Sequence, residues 1–244
     1  METISETYGR LRAAQKGRAR GAPAYSVFVN RPVGRLLAAI AYRVGLTPNQ
    51  VTVISAAFTF AGIGLLAVLP PTPALGIIVW LLLALGYACD SADGQVARLR
   101  GGGSLAGEWL DHFVDAMKIS SLHLAVLIGL SRVVGVGSAW LLVPIAFTVV
   151  ASTTFFAMIL NDLLKGKRGL ASAHTEGGAS TLRSLLLLPT DYGVVMLAFL
   201  AWGWPPAFLV LYTLLLTAAT LFLLLAAVKW FREMVRIDRE TAVR

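Results

Sequence analysis

Residues 74–98 read ALGIIVWLLLALGYACDSADGQVAR, an apolar run that passes directly into a segment containing Asp90 and Asp93. A run of about 20 apolar residues is long enough to cross a bilayer as an α-helix. On that helix Asp90 and Asp93 are separated by about one turn and therefore lie on the same face. The sequence predicts a membrane-spanning helix that carries a polar site at one end.

The rest of the chain has the composition of an integral membrane protein. Of its 244 residues, 57% are hydrophobic and 14% are charged, which gives more apolar surface than a soluble domain of this size can bury. We therefore expect an all-α integral membrane protein. Apolar runs of membrane-spanning length predict six transmembrane helices, at residues 51–69, 74–97, 105–130, 138–160, 185–202 and 207–229.

The region before the first span has a different character. Residues 25–44 combine apolar side chains such as Phe28 and Leu36 with Arg31 and Arg35, a pattern typical of an amphipathic helix in the membrane interface. Residues 1–24 form a basic N-terminal arm that we expect to lack fixed structure. The chain is thereby divided into this arm, a membrane domain at 25–232 and a charged tail at 233–244.

The distribution of charge predicts the orientation of the chain. With six spans, Arg132 is the only basic residue in a loop outside the cytoplasm, so the positive-inside rule places both termini and the Asp90 region on the cytoplasmic side. We expect the protein in a bacterial plasma membrane. Its net charge of +8 is concentrated near the termini and after the fourth span, where anionic lipid headgroups, and not nucleic acid, are the expected partner.

A second acidic segment follows the first. Asp111 and Asp115 are four residues apart and line one face of the third predicted span. With Asp90 and Asp93 they place four acids on neighbouring helices, where carboxylates repel one another unless they are protonated or bound to cations. Basic neighbours are too few to pair with all four, and carboxylate oxygens suit hard divalent ions. A metal site is therefore predicted.

Small residues and an arginine accompany these acids. Gly94, Ala97 and Gly107 leave the helix faces nearly bare, so that a bulky ligand or a neighbouring helix can approach the backbone. Arg98 has a forked donor suited to phosphate, although it could also be an ordinary interfacial arginine. Metal, arginine and carboxylates together indicate phosphoryl transfer.

The two segments together resemble a known signature, that of the CDP-alcohol phosphotransferases, also called CDP-alcohol phosphatidyltransferases. The pattern D-x2-D-G-x2-A-R-x8-G-x3-D-x3-D is matched from Asp90 to Asp115, and Thr47-Pro48-Asn49 is similar to a short element before the first span of that family. The resemblance implies a homodimer, with Asp115 as the base that deprotonates the acceptor alcohol. It also implies Mg²⁺ or Mn²⁺, as a pair of ions, at Asp90, Asp93, Asp111 and Asp115.

The resemblance further implies which residues bind the donor. Gly94, Ala97, Arg98 and Gly107 would contact the cytidine diphosphate part. Asn49 could reach the nucleotide, or it could cap the first membrane helix through its side chain.

The reaction implied is transfer of a phosphatidyl group from CDP-diacylglycerol to an alcohol acceptor, with release of CMP. In one alternative the lipid is the acceptor and not part of the donor, so that a soluble CDP-alcohol donates its headgroup phosphate to a lipid hydroxyl. This alternative is kept because Gly107-Glu108-x-x-Asp111-His112 resembles the choline and ethanolamine phosphotransferase branch. A different class, an ion or proton transporter, would also explain acids within a membrane.

The acceptor is the least constrained part of the prediction. Arg168 and Arg183 bracket the loop after the fourth span together with Lys165 and Lys167. They could bind a phosphorylated acceptor, or they could be ordinary positive-inside charge. Three further candidates for a catalytic role are Glu108, His112 and His123. Lys118 shares a helix face with Asp115 and could pair with that carboxylate, but we expect a structural or lipid-facing role, with a lipid phosphate or a helix carbonyl as its partner.

Overall fold

The structure is a computed structural model that describes residues 3–13, 23–170 and 190–242. Every regular element in these ranges is helical. The α-helices are α1 (Ile4–Ala13), α2 (Arg31–Arg43), α3 (Pro48–Val68), α4 (Pro73–Leu99), α5 (Leu105–Val134), α6 (Leu142–Lys167), α7 (Tyr192–Ala198) and α8 (Pro205–Ala242). A π-helical turn (Ser26–Asn30) precedes α2, and 3₁₀ turns precede α6 (Ala139–Leu141) and follow α7 (Phe199–Ala201).

Five of these helices are long and apolar enough to cross a membrane: α3, α4, α5, α6 with the turn before it, and α8. The all-α membrane fold is confirmed, and these five agree with the spans predicted at 51–69, 74–97, 105–130, 138–160 and 207–229. The span predicted at 185–202 begins outside the described residues. Its described part is the short apolar stretch Tyr192–Ala201, so the number six is approximate.

The helices that carry the acidic segments begin at well-formed caps. Thr47 and Gln50 form a capping box at α3, in which each side chain accepts a hydrogen bond from the other residue's backbone N–H. Ser104 caps α5 by accepting from the N–H of Gly107 at 3.0 Å. Between α4 and α5, Gly101 and Gly102 have φ values of +94° and +135°, which other residues rarely adopt. This turn connects the two acidic helices, and α3 packs against both of them.

The apolar core lies beyond the acidic site, between α3, α4, α5 and α7. Leu66, Leu83, Met196, Phe199 and Trp202 are completely buried there. A Cβ on Gly129 of α5 would lie 2.6 Å from the indole of Trp202, so only glycine permits this approach of α5 to the indole. Replacing Trp202 by Ala would cost about 3–5 kcal/mol of stability.

The N-terminal region is more ordered than the sequence suggested. The amphipathic segment forms the π-helical turn and α2, which buries Ala38 and Ala39 and exposes Leu36 and Ile40. Within the arm expected to lack structure, residues 4–13 form α1, whose Leu11 is 3% exposed. The expectation was wrong for these residues because the basic composition of the arm does not reveal an apolar contact made with distant helices.

Candidate metal centre and active site

Three carboxylates from two helices converge in the structure. Asp90 lies on α4 and Asp111 and Asp115 lie on α5, and one oxygen atom of each lies within 4.8 Å of those of the other two. All three side chains are half-buried. Clustered carboxylate oxygens in such a place match the ligands that Mg²⁺ and Mn²⁺ prefer. These residues therefore fit a divalent metal site.

The fourth predicted ligand, Asp93, is held apart from this group. It is 7% exposed, and its Oδ2 accepts a hydrogen bond from the Thr52 hydroxyl at 2.6 Å. Its Oδ1 accepts from the N–H of Gly94 at 2.5 Å. A carboxylate oxygen has two lone pairs, so both oxygens retain acceptor capacity toward a ligand. The structure thus gathers three of the four predicted ligands and fixes the fourth against α3.

Lys118 lies within the acidic group. Its ammonium nitrogen is 2.6 Å from Asp90 Oδ1, 3.3 Å from Asp115 Oδ1 and 3.1 Å from Ser55 Oγ. The expectation that Lys118 pairs with a lipid phosphate or a helix carbonyl was wrong, and the alternative, a pairing with Asp115, is observed. Its side chain is 8% exposed, and α3 and α4 cover the face of α5 on which it stands. Its partners come mainly from those two helices, which spacing along α5 alone cannot reveal.

A first cavity of about 810 Å³ adjoins the acidic group on one side. It lies between the N-termini of α3 and α5 and the C-terminal part of α4, and its lining includes Asn49, Asp93, Gly94, Ala97, Gly107 and Asp111. Helix N-termini favour anions because their free N–H groups and the helix dipole carry positive charge. The N-termini of α3 and α5 therefore contribute partial positive charge to a cavity whose lining also includes the carboxylates of Asp93 and Asp111.

The small residues of the motif leave the helix backbone accessible from this cavity. A Cβ on Gly94 would meet only Arg98 Nη1, at 3.9 Å, and a Cβ on Gly107 would lie 3.1 Å from Asn49 Oδ1. Asn49 therefore lies beside the motif. The alternative in which it caps α3 is wrong, because Thr47 is the capping residue.

The two arginines after the motif differ in their contacts. Arg98 is exposed near Gly94 but is absent from the described lining of the first cavity, whereas Arg100 is part of it. The guanidinium group of Arg100 has hydrogen-bond partners within the protein, since its Nη2 donates to the carbonyls of Gly45 and Leu46 at 2.9 and 3.0 Å. It thereby ties the loop before α3 to the end of α4.

A second cavity, of about 510 Å³, lies on the other side of the acidic group. One end is lined by Asp90, Asp115 and Lys118. Much of the remaining wall is apolar and includes Ile119, Leu122, Phe147, Phe155, Met158, Val195 and Phe222. Its lining suits a ligand with a polar group at the carboxylates and an apolar body.

Two polar residues of the second cavity, Arg31 and Asp191, were not recognised in the sequence as site residues. Arg31, at the start of α2, contributes a cation to the lining. Asp191 is 1% exposed and joins two segments, because it accepts hydrogen bonds from the N–H groups of Ser26 and Gly193, both at 2.9 Å. Both residues lie far in sequence from the acidic motif, so no local spacing pattern identifies them.

Two of the three remaining candidates line the cavities, His123 the second and Glu108 the first. His123 is buried, hydrogen-bonds through Nδ1 to the Tyr212 hydroxyl and stacks on Phe147 at a ring distance of 4.1 Å. Glu108 lies at the exposed edge of the first cavity. The ring of His112 meets that of Phe155 edge-on at 6.4 Å.

The predicted acceptor residues after the fourth span are only partly described. Arg168 is 49% exposed, lies 3.7 Å from Asp238 and is not among the described residues that line either cavity. Arg183 lies outside the described residues. Lys165 forms a buried ion pair with Glu233 at 2.5 Å.

Comparisons with known proteins identify a family. A sequence model of the CDP-alcohol phosphatidyltransferase family matches residues 45–231. A phosphatidylinositol phosphate synthase of Corynebacterium glutamicum is 36% identical over 97 residues, which cover 39% of this chain and 40% of that protein's length.

Two crystal structures of a Mycobacterium tuberculosis phosphatidylinositol phosphate synthase are also similar. The structure in complex with manganese and citrate has 24% identity and a TM-score of 0.49, covering 80% of this chain and 87% of that chain. The structure with CDP-DAG bound has 25% identity and a TM-score of 0.48, covering 80% of this chain and 90% of that chain.

Proposed function

Because the chain belongs to the CDP-alcohol phosphatidyltransferase family of transferases, we propose that it transfers the phosphatidyl group of CDP-diacylglycerol to an alcohol and releases CMP. The observation that carries this proposal is the position of the acidic group between two cavities of different character. Asp93 and Asp111 face the first cavity, and Asp90 and Asp115 face the second. A donor and an acceptor could therefore meet at the carboxylates from opposite sides.

The first cavity would bind the cytidine diphosphate part of the donor. Gly94, Ala97 and Gly107 allow the diphosphate to approach the backbone, and Asn49 lies within reach of the nucleotide. The N-termini of α3 and α5 favour the negative charge of the ligand. Arg98, at the edge of this region, would close on a phosphate oxygen with its guanidinium group.

Asp90, Asp111 and Asp115 would hold Mg²⁺ or Mn²⁺, and Asp93 would complete a site for a pair of ions. A divalent ion bound there supplies positive charge that offsets the charge developing on the departing CMP. Thr52 would orient Asp93 through the hydrogen bond between its hydroxyl and Oδ2.

Asp115 would act as the general base. Its carboxylate lies at the end of the second cavity, where it would accept the proton of the acceptor hydroxyl. The acceptor oxygen then forms a bond to the phosphorus next to the diacylglyceryl group, and the bond between that phosphorus and the CMP oxygen breaks. The electron pair of the broken bond leaves with CMP. No covalent intermediate with the protein is required.

A second candidate function is favoured by the apolar wall of the second cavity. A lipid hydroxyl, with its acyl chains along Leu122, Phe155 and Phe222, could be the acceptor. In that case a soluble CDP-alcohol would occupy the first cavity and donate its headgroup phosphate. The carboxylates would have the same roles, metal binding and proton acceptance, in both reactions.

Assays of purified protein in lipid nanodiscs with Mg²⁺ or Mn²⁺ separate these functions. Release of CMP from CDP-diacylglycerol with a panel of free and phosphorylated alcohols supports the phosphatidyltransferase. CMP release only from CDP-choline or a similar donor with diacylglycerol supports the second function. Metal or proton flux across liposomes without CMP release from any donor would contradict both and indicate a transporter.

We also propose that both termini and the active site face the cytoplasm. The protein is proposed to be a homodimer. Anionic lipids are proposed to bind its basic segments. The positive-inside distribution of charge supports the orientation. Cysteines introduced near the C-terminus should be labelled by a membrane-impermeant reagent only after the cells are opened. Light scattering of the purified protein should give the mass of two chains.

A further inference from the structure

Lys118 is held at the acidic group by contacts from three helices. Its ammonium group has three N–H donors, and three acceptors surround it: Asp90 on α4, Asp115 on α5 and Ser55 on α3. Ser55 is completely buried and donates its own hydroxyl proton to the carbonyl of Gly86 at 2.8 Å. The hydrogen-bonding capacity of the ammonium group is therefore fully used by the protein.

The packing around this network leaves little room for Lys118 to move. A Cβ on Gly86 would lie 2.2 Å from Thr59 Oγ1 and 3.1 Å from the carbonyl oxygen of Ser55. The absence of a side chain at Gly86 thus allows α3 and α4 to touch, and this contact places Ser55 under the ammonium group. The lysine is anchored in one position at the boundary between the carboxylates and the core.

The charge of Lys118 acts directly on the acidic group. A buried lysine is unfavourable unless it is paired and hydrogen-bonded, and this one is paired with two carboxylates at 2.6 and 3.3 Å. It reduces the net negative charge of the group by one. A divalent ion that binds to Asp90 and Asp115 must approach against this fixed positive charge.

We propose that Lys118 is a positioning residue that serves as a tethered cation of the acidic group. It holds the Asp90 and Asp115 side chains in place for the reaction and weakens the affinity of the group for divalent ions when no donor is bound. The diphosphate of a donor brings negative charge that offsets this effect, so that the ions bind more firmly when the donor arrives. The family signature does not include position 118. The catalytic part of this inference rests on the proposed function, whereas the effect on metal affinity does not.

The test compares Lys118→Met, which removes the charge, with Lys118→Arg, which keeps it. Mn²⁺ binding to the full-length protein is measured by electron paramagnetic resonance without any substrate. We expect Lys118→Met to bind Mn²⁺ about fivefold more tightly than the wild-type protein. Lys118→Arg should retain the wild-type affinity. Lys165→Met is the matched control, since it removes another buried, paired lysine and should leave Mn²⁺ affinity unchanged.

The second measurement is the kcat of CMP release at saturating metal. Lys118→Met should lose at least about tenfold in kcat, because Asp90 and Asp115 lose a common anchor, and Lys118→Arg should recover part of that loss. Tighter metal binding together with slower turnover is not expected from simple destabilisation. An Mn²⁺ affinity in Lys118→Met that is unchanged or weaker would overturn the proposal, as would an unchanged kcat.

If Lys118→Met is not monodisperse, Lys118→Gln takes its place with the same expectations, and failure of both neutral variants to fold while Lys118→Arg folds would show a purely structural role and overturn the proposal. If the wild-type protein releases no CMP from any donor, the proposed function fails. The Mn²⁺ measurement then decides the proposal for Lys118 by itself.

Discussion

Replacing Gly94 by alanine separates a role in donor binding from a role in helix packing. In the structure, a Cβ on Gly94 would meet only the side chain of Arg98, one turn along the same helix, at 3.9 Å from Nη1, and no atom of another element. The residue lies in α4 and lines the first cavity. The added methyl group therefore enters the cavity without displacing any neighbouring helix.

The expected effects on stability and on activity have opposite signs. Alanine in place of glycine inside a helix stabilises by about 0.5–1 kcal/mol, so the thermal midpoint of Gly94→Ala should be no lower than that of the wild-type protein. A methyl group forced into an occupied site costs about 1–3 kcal/mol. Since 1.4 kcal/mol corresponds to a factor of about ten, the KM for the CDP-linked donor should rise about 5- to 150-fold.

The assay is initial-rate CMP release at a series of donor concentrations, with thermal unfolding followed in parallel. Gly64→Ala is the matched control, because a Cβ on this helical glycine meets no atom within 4 Å and the residue lines neither cavity. It should leave the donor KM unchanged. A wild-type donor KM in Gly94→Ala would remove Gly94 from the binding site, and a lowered thermal midpoint would show that it packs against another element.

Three further predictions concern the carboxylates and the second cavity. Asp90→Asn, Asp111→Asn and Asp115→Asn should each reduce CMP release at least about 10³-fold in folded protein, because each removes a charged oxygen from the acidic group; near-normal turnover in any of them would exclude that residue from the mechanism. Thr52→Val should lower kcat/KM about tenfold, since it removes the hydrogen bond to Asp93, worth about 1.5–3 kcal/mol for a charged acceptor. Thr148→Val, which loses only a bond to a carbonyl of its own helix, is its control, and equal effects in both would refute the role of Thr52. Arg31→Gln should raise the KM of the substrate in the second cavity about tenfold, whereas a rise in Arg168→Gln alone would place that substrate at the end of α6 instead.

The sequence was sufficient for the membrane fold and for the acidic group because both depend on local periodicity. Hydrophobic run lengths located five described spans, and the spacing of Asp90, Asp111 and Asp115 put each on the helix face that meets the others. These features follow from the rise per residue and the number of residues per turn of an α-helix. They can therefore be predicted from a single sequence.

Features that depend on helices distant in sequence could not be predicted. The hydroxyl of Thr52 meets Asp93 across 41 positions, and Ser55 meets Lys118 across 63. Nothing in the spacing along α5 distinguishes a lysine that faces lipid from one covered by α3 and α4. Arg31 reaches the second cavity for the same reason, since the packing of α2 against α4 decides where its first turn lies.

The length of α8 has a consequence for work on the protein in membranes. At 1.5 Å per residue its 38 residues extend for about 57 Å, nearly twice the apolar thickness of a bilayer, about 30 Å. The ion pair between Lys165 and Glu233 fastens the end of α6 beside it. The end of α8 therefore extends beyond the apolar layer and is held beside the end of α6, so we expect a fluorophore fused after α8 to report the tilt of these two helices in the membrane.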